Sequence, residues 1–104
     1  MIDLLTTGET FDAHRIRAWA GVATDEGVGL ICLVEVTDPA GRLVCRFEAL
    51  LPETARRGDP AWSGPDRDAC QRLLDHTLER TRAAVASSSL PSLHGRRLEI
   101  ASVS

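Results

Sequence analysis

The stretch VTDPAGRLV, residues 36–44, reads as the tip of a β-hairpin. Pro39 fixes φ at about −65°, which suits the first central position of a turn. Asp38 offers a carboxylate to nearby backbone N–H groups, and Gly41 supplies the φ > 0 conformation from which the next strand departs. A type I turn closed by a glycine bulge is the expectation. Its flanks, GLICLVEV (29–36) and RLVCRFEAL (42–50), are rich in Val, Leu, Ile, Cys and Phe, so two strands are predicted, 28–37 and 42–50.

The first of these is apolar on both faces. Val28, Leu30, Cys32, Val34 and Val36 point one way, Ile31 and Leu33 the other, the pattern of a central strand covered twice. In the second, Leu43, Cys45, Phe47 and Ala49 share a face, whereas Arg42, Val44, Arg46 and Glu48 make the opposite face only patchily apolar. Before the turn TDEG (24–27), HRIRAWAGVAT alternates with period two. Ile16, Ala18, Ala20 and Val22 form one side and Arg15, Arg17, Trp19 and Gly21 the other, which predicts a half-buried strand over 14–24. A helix capped by Asp12 is the competing reading of the same residues. Residues 1–12 read as a surface arm or an edge strand.

On the other side, residues 51–64 are broken by Pro52, Gly58, Pro60 and Gly64 and read as a long loop. A helix is predicted over 65–86. Ser63 or Gly64 caps it, Pro65 stands in its first turn, and Asp66 and Asp68 complement the positive end of the dipole. Cys70, Leu73, Leu74, Thr77, Leu78, Thr81 and Val85 recur at three and four residues as one apolar stripe, with Arg80 and Arg82 near the far end, complementary to the dipole there. SSSLPSLHG (87–95) ends the helix and crosses back to a last strand over 96–103. The fold class is therefore α+β: a small antiparallel sheet in β-β-β-α-β order, with one long amphipathic helix packed on one face, in a single domain spanning 1–104.

Composition supports a globular domain, with 43% hydrophobic and 26% charged residues among 104. Twelve basic residues against fifteen acidic ones give a formal charge of −3, a disadvantage for binding nucleic acid. The longest apolar stretch, GVGLICLVEV, falls short of the ~20 residues of a membrane helix. MIDLLTTGE has no basic n-region. The expectation is a cytoplasmic protein with reduced thiols and no membrane partner. Cys32, Cys45 and Cys70 lack metal or redox spacing and sit on predicted core faces, as small buried hydrophobes.

Chemistry is sparsely encoded. Ser63 in AWSGPD stands where a helix cap is expected, outside any G-x-S-x-G elbow. His14 follows Asp12 at i+2, His76 has Arg80 at i+4, and His94 precedes a glycine, so no metal-ligand motif forms. Glu35 and Glu48 are candidate cross-strand neighbours, with Asp66 or Asp68 approaching them, in the alternative of a small metal-dependent hydrolase. A second alternative is nucleic-acid binding by Arg15, Arg17, Arg96 and Arg97, should the first and last strands lie side by side, although net charge disfavours it. No cofactor and no metal are expected.

One deficit remains. A single helix covers a single face of the sheet, yet Trp19, Ile31, Leu33 and Val44 are assigned to the other. Burying two such side chains is worth roughly 3–5 kcal/mol. Either the 1–12 arm and the 51–64 loop fold over them, through Leu4, Leu5, Leu51 and Trp62, or another molecule does. The sequence therefore points to a non-enzymatic interaction or regulatory module, acting as a homodimer or on a protein partner, with those four residues at the interface.

Overall fold

Four strands precede the long helix, one more than the order read from the sequence. The computed structural model describes residues 2–23, 29–58, 60–62 and 64–100. β1 (Ile2–Phe11), β2 (His14–Val22), β3 (Leu30–Thr37) and β4 (Leu43–Leu51) form an antiparallel meander. α1 (Glu53–Gly58), a 3₁₀ turn (Pro60–Trp62), the 21-residue α2 (Asp66–Ala86) and the short α3 (Leu90–Leu93) follow. β5 (Arg97–Glu99) then adds parallel to β4, completing a five-stranded sheet in the order β1-β2-β3-β4-β5. The α+β class and the single long helix are as expected. Of the two readings of 1–12, the edge strand is the one found, over Ile2–Phe11. The differences are helical turns inside the supposed loop 51–64 and a last strand of three residues joined in parallel. Val28, Ser63, the turn 24–27 and residues 101–103 lie outside the described residues.

The hairpin tip is built as its sequence dictates. The Gly41 N–H donates to the Asp38 carbonyl at 2.9 Å, the Arg42 N–H to the Asp38 carboxylate at 2.9 Å, and Gly41 takes φ +88°. At the β1–β2 tip Asp12 and Ala13 both have positive φ, +49° and +63°, the signature of a type I′ turn. That conformation suits the twist of a two-residue hairpin but costs an alanine ~1 kcal/mol. His14 Nδ1 bonds the Asp12 carbonyl at 2.8 Å, tying the turn down.

The sheet presents small residues to the helix. Ala18 and Ala20 on β2, Cys32 on β3 and Ala49 on β4 are at most 1% exposed, so α2 lies close against the middle strands. Larger side chains, Ile16, Val36, Phe47 and Leu51, fill the flanks. The α2 stripe is the predicted one with Ala69 and Ala84 added. Its two buried hydroxyls donate back along the helix, Thr77 to the Leu73 carbonyl at 2.7 Å and Thr81 to the Thr77 carbonyl at 2.8 Å, and are thereby satisfied.

The ends of α2 depart from the sequence reading. Pro65 is the cap residue rather than a first-turn residue and makes no side-chain cap bond. The C-terminal end closes in a Schellman motif, with Ser89 N–H to the Ala84 carbonyl, Ser88 N–H to the Val85 carbonyl, and Ser88 at φ +56°. Arg82 does not serve the helix dipole. It makes a two-pronged ion pair with Glu9, both bonds 2.7 Å, which straps β1 to the helix and holds the Glu9 carboxyl below its usual range.

Ahead of α2, Arg56 is the hub of the α1–α2 junction. Its guanidinium donates to the Trp62 and Gly64 carbonyls at 3.3 and 2.9 Å and pairs with Asp66. Trp62, fully buried, belongs to the helix-side core together with Leu51, and Leu4 and Leu5 pack against that same core.

Two glycine positions on β1 and β2 differ sharply. A Cβ on Gly21 would stand 2.1 Å from the Ile2 carbonyl oxygen, next to the bulge between Asp3 and Leu5, whereas one on Gly8 would meet nothing closer than 3.8 Å. Gly21→Ala is expected to cost about 1–3 kcal/mol and to speed amide exchange at the start of β1, with Gly8→Ala within about 0.5 kcal/mol of the unmodified protein. Ala13→Gly is expected to stabilise by roughly 0.5–1 kcal/mol, a rise of a few degrees in thermal midpoint, by relieving the left-handed strain. Thermal unfolding followed by circular dichroism checks these stability changes.

Candidate functional site

The face of the sheet turned away from α2 is organised by register into cross-strand rows. Trp19 stands directly opposite Leu33, which stands opposite Glu48, which pairs with Arg97 on β5. One step along the strands, Gly8, Arg17, Glu35 and Arg46 form the next row. On the other side Asp3, Gly21, Ile31, Leu50 and Glu99 line up. Thr10, Arg15 and Thr37 make a fourth row at the far end.

Trp19, Ile31 and Leu33 are each partly exposed and form no part of the helix-side core. They touch through register: Trp19 faces Leu33, and Ile31 lies two residues along β3 on the same side. The Arg17 guanidinium sits 5.2 Å from the centre of the Trp19 ring, a cation–π contact. Asp3, Trp19, Leu33, Glu35 and Arg46 border a shallow depression of about 230 Å³. Val44 takes a different place. β4 carries one extra residue where Cys45 pairs with Val36 and Leu43 with Thr37, and at this bulge Val44 packs against the helix-side core.

The arginines divide by neighbourhood. Arg97 donates to Glu48 at 2.9 Å, and in the ARR doublet Arg56 holds its junction while Arg57 pairs with Glu53. Arg15, Arg17 and Arg46 make no ion pair among the described residues, although Glu35 lies between Arg17 and Arg46 in register. Arg15 and Arg17 on β2 are separated from Arg96 and Arg97 by β3 and β4, about 14 Å at the spacing of strands. The side-by-side placement that would gather those four cations does not occur, because β5 joins the opposite edge.

Residues considered for catalysis are scattered. His14 sits at the β1–β2 turn, His76 on α2, and His94 beyond α3, where its Nδ1 accepts the Arg46 N–H at 3.0 Å. Glu35 faces Arg46 and Glu48 faces Leu33 in the register, while Asp66 is bound to Arg56 on the helix side. Among the described residues, no group of three or more His, Cys, Asp or Glu side chains could hold a metal ion. No protein-family model matches the chain, and no curated protein or solved structure matches it.

All three thiols are buried and free. Burial pushes Cys32 up to about 12, against a partial offset from Thr77, and raises Cys45 and Cys70 as well. The Cys45 thiol also donates to the Leu90 carbonyl at 3.4 Å. Thiolate is the reactive form, so Ellman's reagent at mildly alkaline pH should leave the native protein unlabelled and titrate three thiols after denaturation. Rapid release of one equivalent from the folded protein would contradict this burial.

Proposed function

We propose that the protein is a non-enzymatic association module that works through the open face of its sheet, as a homodimer or on a protein partner. The observation that carries the reading is the contiguous set Trp19, Leu33 and Ile31, left partly exposed in the middle of the face opposite α2. The segments that might have folded over them within the chain are engaged on the other side. Leu4 and Leu5 pack against the helix-side core, and Leu51 and Trp62 are buried in it. Aromatic and aliphatic anchors at the centre of a patch, rimmed by charge, are the usual source of binding energy between proteins.

Arg15, Arg17 and Arg46, with Arg17 against an indole, favour a second reading, a surface for single-stranded nucleic acid. Glu35, Asp3 and Glu99 on the same face and the formal −3 charge weigh against it.

The test is sedimentation velocity at ~50 µM, well above a micromolar Kd. The unmodified protein is expected to sediment as a dimer and Leu33→Asp as a monomer. The substitution should cost less than about 1 kcal/mol of stability, because Leu33 lies outside the core. A one-chain mass for the unmodified protein would overturn self-association, and unfolding of Leu33→Asp would show that the face is covered internally. Tryptophan quenching by mixed oligonucleotides that fades steeply with salt would replace the association reading with the nucleic-acid one.

A further inference from the structure

The charges on the open face are sorted by position along the strands. In the two rows nearest the β1–β2 tip stand Arg15, Arg17 and Arg46, with Glu35 as the single carboxylate of those rows. Asp12 and Asp38 lie beyond them in the turns, the Asp38 carboxylate accepting the Arg42 N–H. At the opposite end stand Asp3 and Glu99. Between the two lies the Trp19–Leu33 row, in which Glu48 is already neutralised by Arg97, while Ile31 stands in the same row as Asp3 and Glu99. From the Arg15 row to the Gly21 row is six residues of strand, ~20 Å. That exceeds the ~8 Å Debye length at physiological salt. The two ends therefore do not neutralise one another, and a partner must match each locally.

Resting on the open-face reading, we infer that the occupant is a second copy of this chain, packed face to face with its strands reversed, so that the basic end of each copy lies over the acidic end of the other. A twofold axis running across the strands does this while keeping Trp19 and Leu33 at the centre, with Ile31 one row to the side. The other face-to-face twofold, along β3, would lay Arg17 over the Arg46 of the second copy and repel, since β2 and β4 flank β3 in the same register. The twist of each sheet sets the two strand sets ~30° from antiparallel. A five-stranded face with rows spanning ~20 Å projects on the order of 500 Å² per copy, roughly 1,000 Å² for the pair, the size of weak and transient interfaces. Such a dimer belongs in the micromolar range, where charge matching decides between orientations.

Two complementary variants test the arrangement. One carries Arg17→Glu and Arg46→Glu, the other Asp3→Arg and Glu99→Arg, and circular dichroism establishes that each is folded. Alone, each is expected to dimerise at least about tenfold more weakly than the unmodified protein, since like charges then face each other. Mixed in equal amounts, they should form a one-to-one heterodimer with affinity close to the original, because each end again meets its opposite. Restoration on mixing is something a merely structural role for these residues would not produce. If each variant dimerises as tightly as the unmodified protein, or mixing restores nothing, the reversed face-to-face arrangement is wrong. Should Leu33→Asp still abolish the dimer in that case, the open-face reading survives and only the orientation falls. A unmodified chain that stays monomeric removes the second copy as occupant.

Discussion

The close seating of one helix on one side of the sheet is the constraint from which the other features descend. α2 reaches the middle strands because Ala18, Ala20, Cys32 and Ala49 leave room for it, and its own Cys70, Thr77 and Thr81 are small where they meet them. A single helix of 21 residues spans ~30 Å, enough to cover the helix-side face of the strands and nothing else. Apolar residues of the segments that flank it are drawn to the same side: Trp62 from the 3₁₀ turn, Leu90 and Leu93 from α3, Leu98 from β5. The opposite face keeps its Trp, Ile and Leu residues because no further element among the described residues meets them.

What could be read in the sequence was what local chemistry determines. The 38–41 turn follows from Asp38, Pro39 and Gly41 alone, and α2 follows from an apolar stripe long enough to admit no other period. The alternation of 14–22 also survived, since its small alanines proved to be room for a helix rather than the start of one. Features made by distant partners were hidden. β1 carries Thr and Gly where a core strand would carry Val or Ile, and it is a strand because β2 pairs with it along its length. β5 is three residues long and parallel, a pairing with no sequence signature of its own. Val44 alternates correctly with Arg46 and Glu48, and one inserted residue in the ladder is enough to bring it against the core.

Arginine shows the limit of counting charges. ARR at 55–57 and GRR at 95–97 are alike in sequence, each a basic doublet. In the fold Arg56 organises a chain reversal, Arg57 pairs along its own helix and Arg97 pairs across two strands. Arg82, assigned to the helix dipole, instead fastens the edge strand to the helix. The three arginines of the open face that make no ion pair among the described residues, Arg15, Arg17 and Arg46, were distinguished by cross-strand register, which no spacing along the chain reveals.

The sheet order has a kinetic side. Each of the first three strands pairs with its immediate successor through a short connection wherever the chain is described, so the meander is assembled from local contacts with low loop-closure cost. β5 is different: its parallel pairing with β4 closes only after α1, α2 and α3 have been laid down between them. During that interval the outer edge of β4 is an unpaired ladder. The backbone bonds from Gly95 to Arg46 and from Ile100 to Leu50 seal it at the end, which makes the last turn of chain the step that separates a sheet open to misassembly from a finished one.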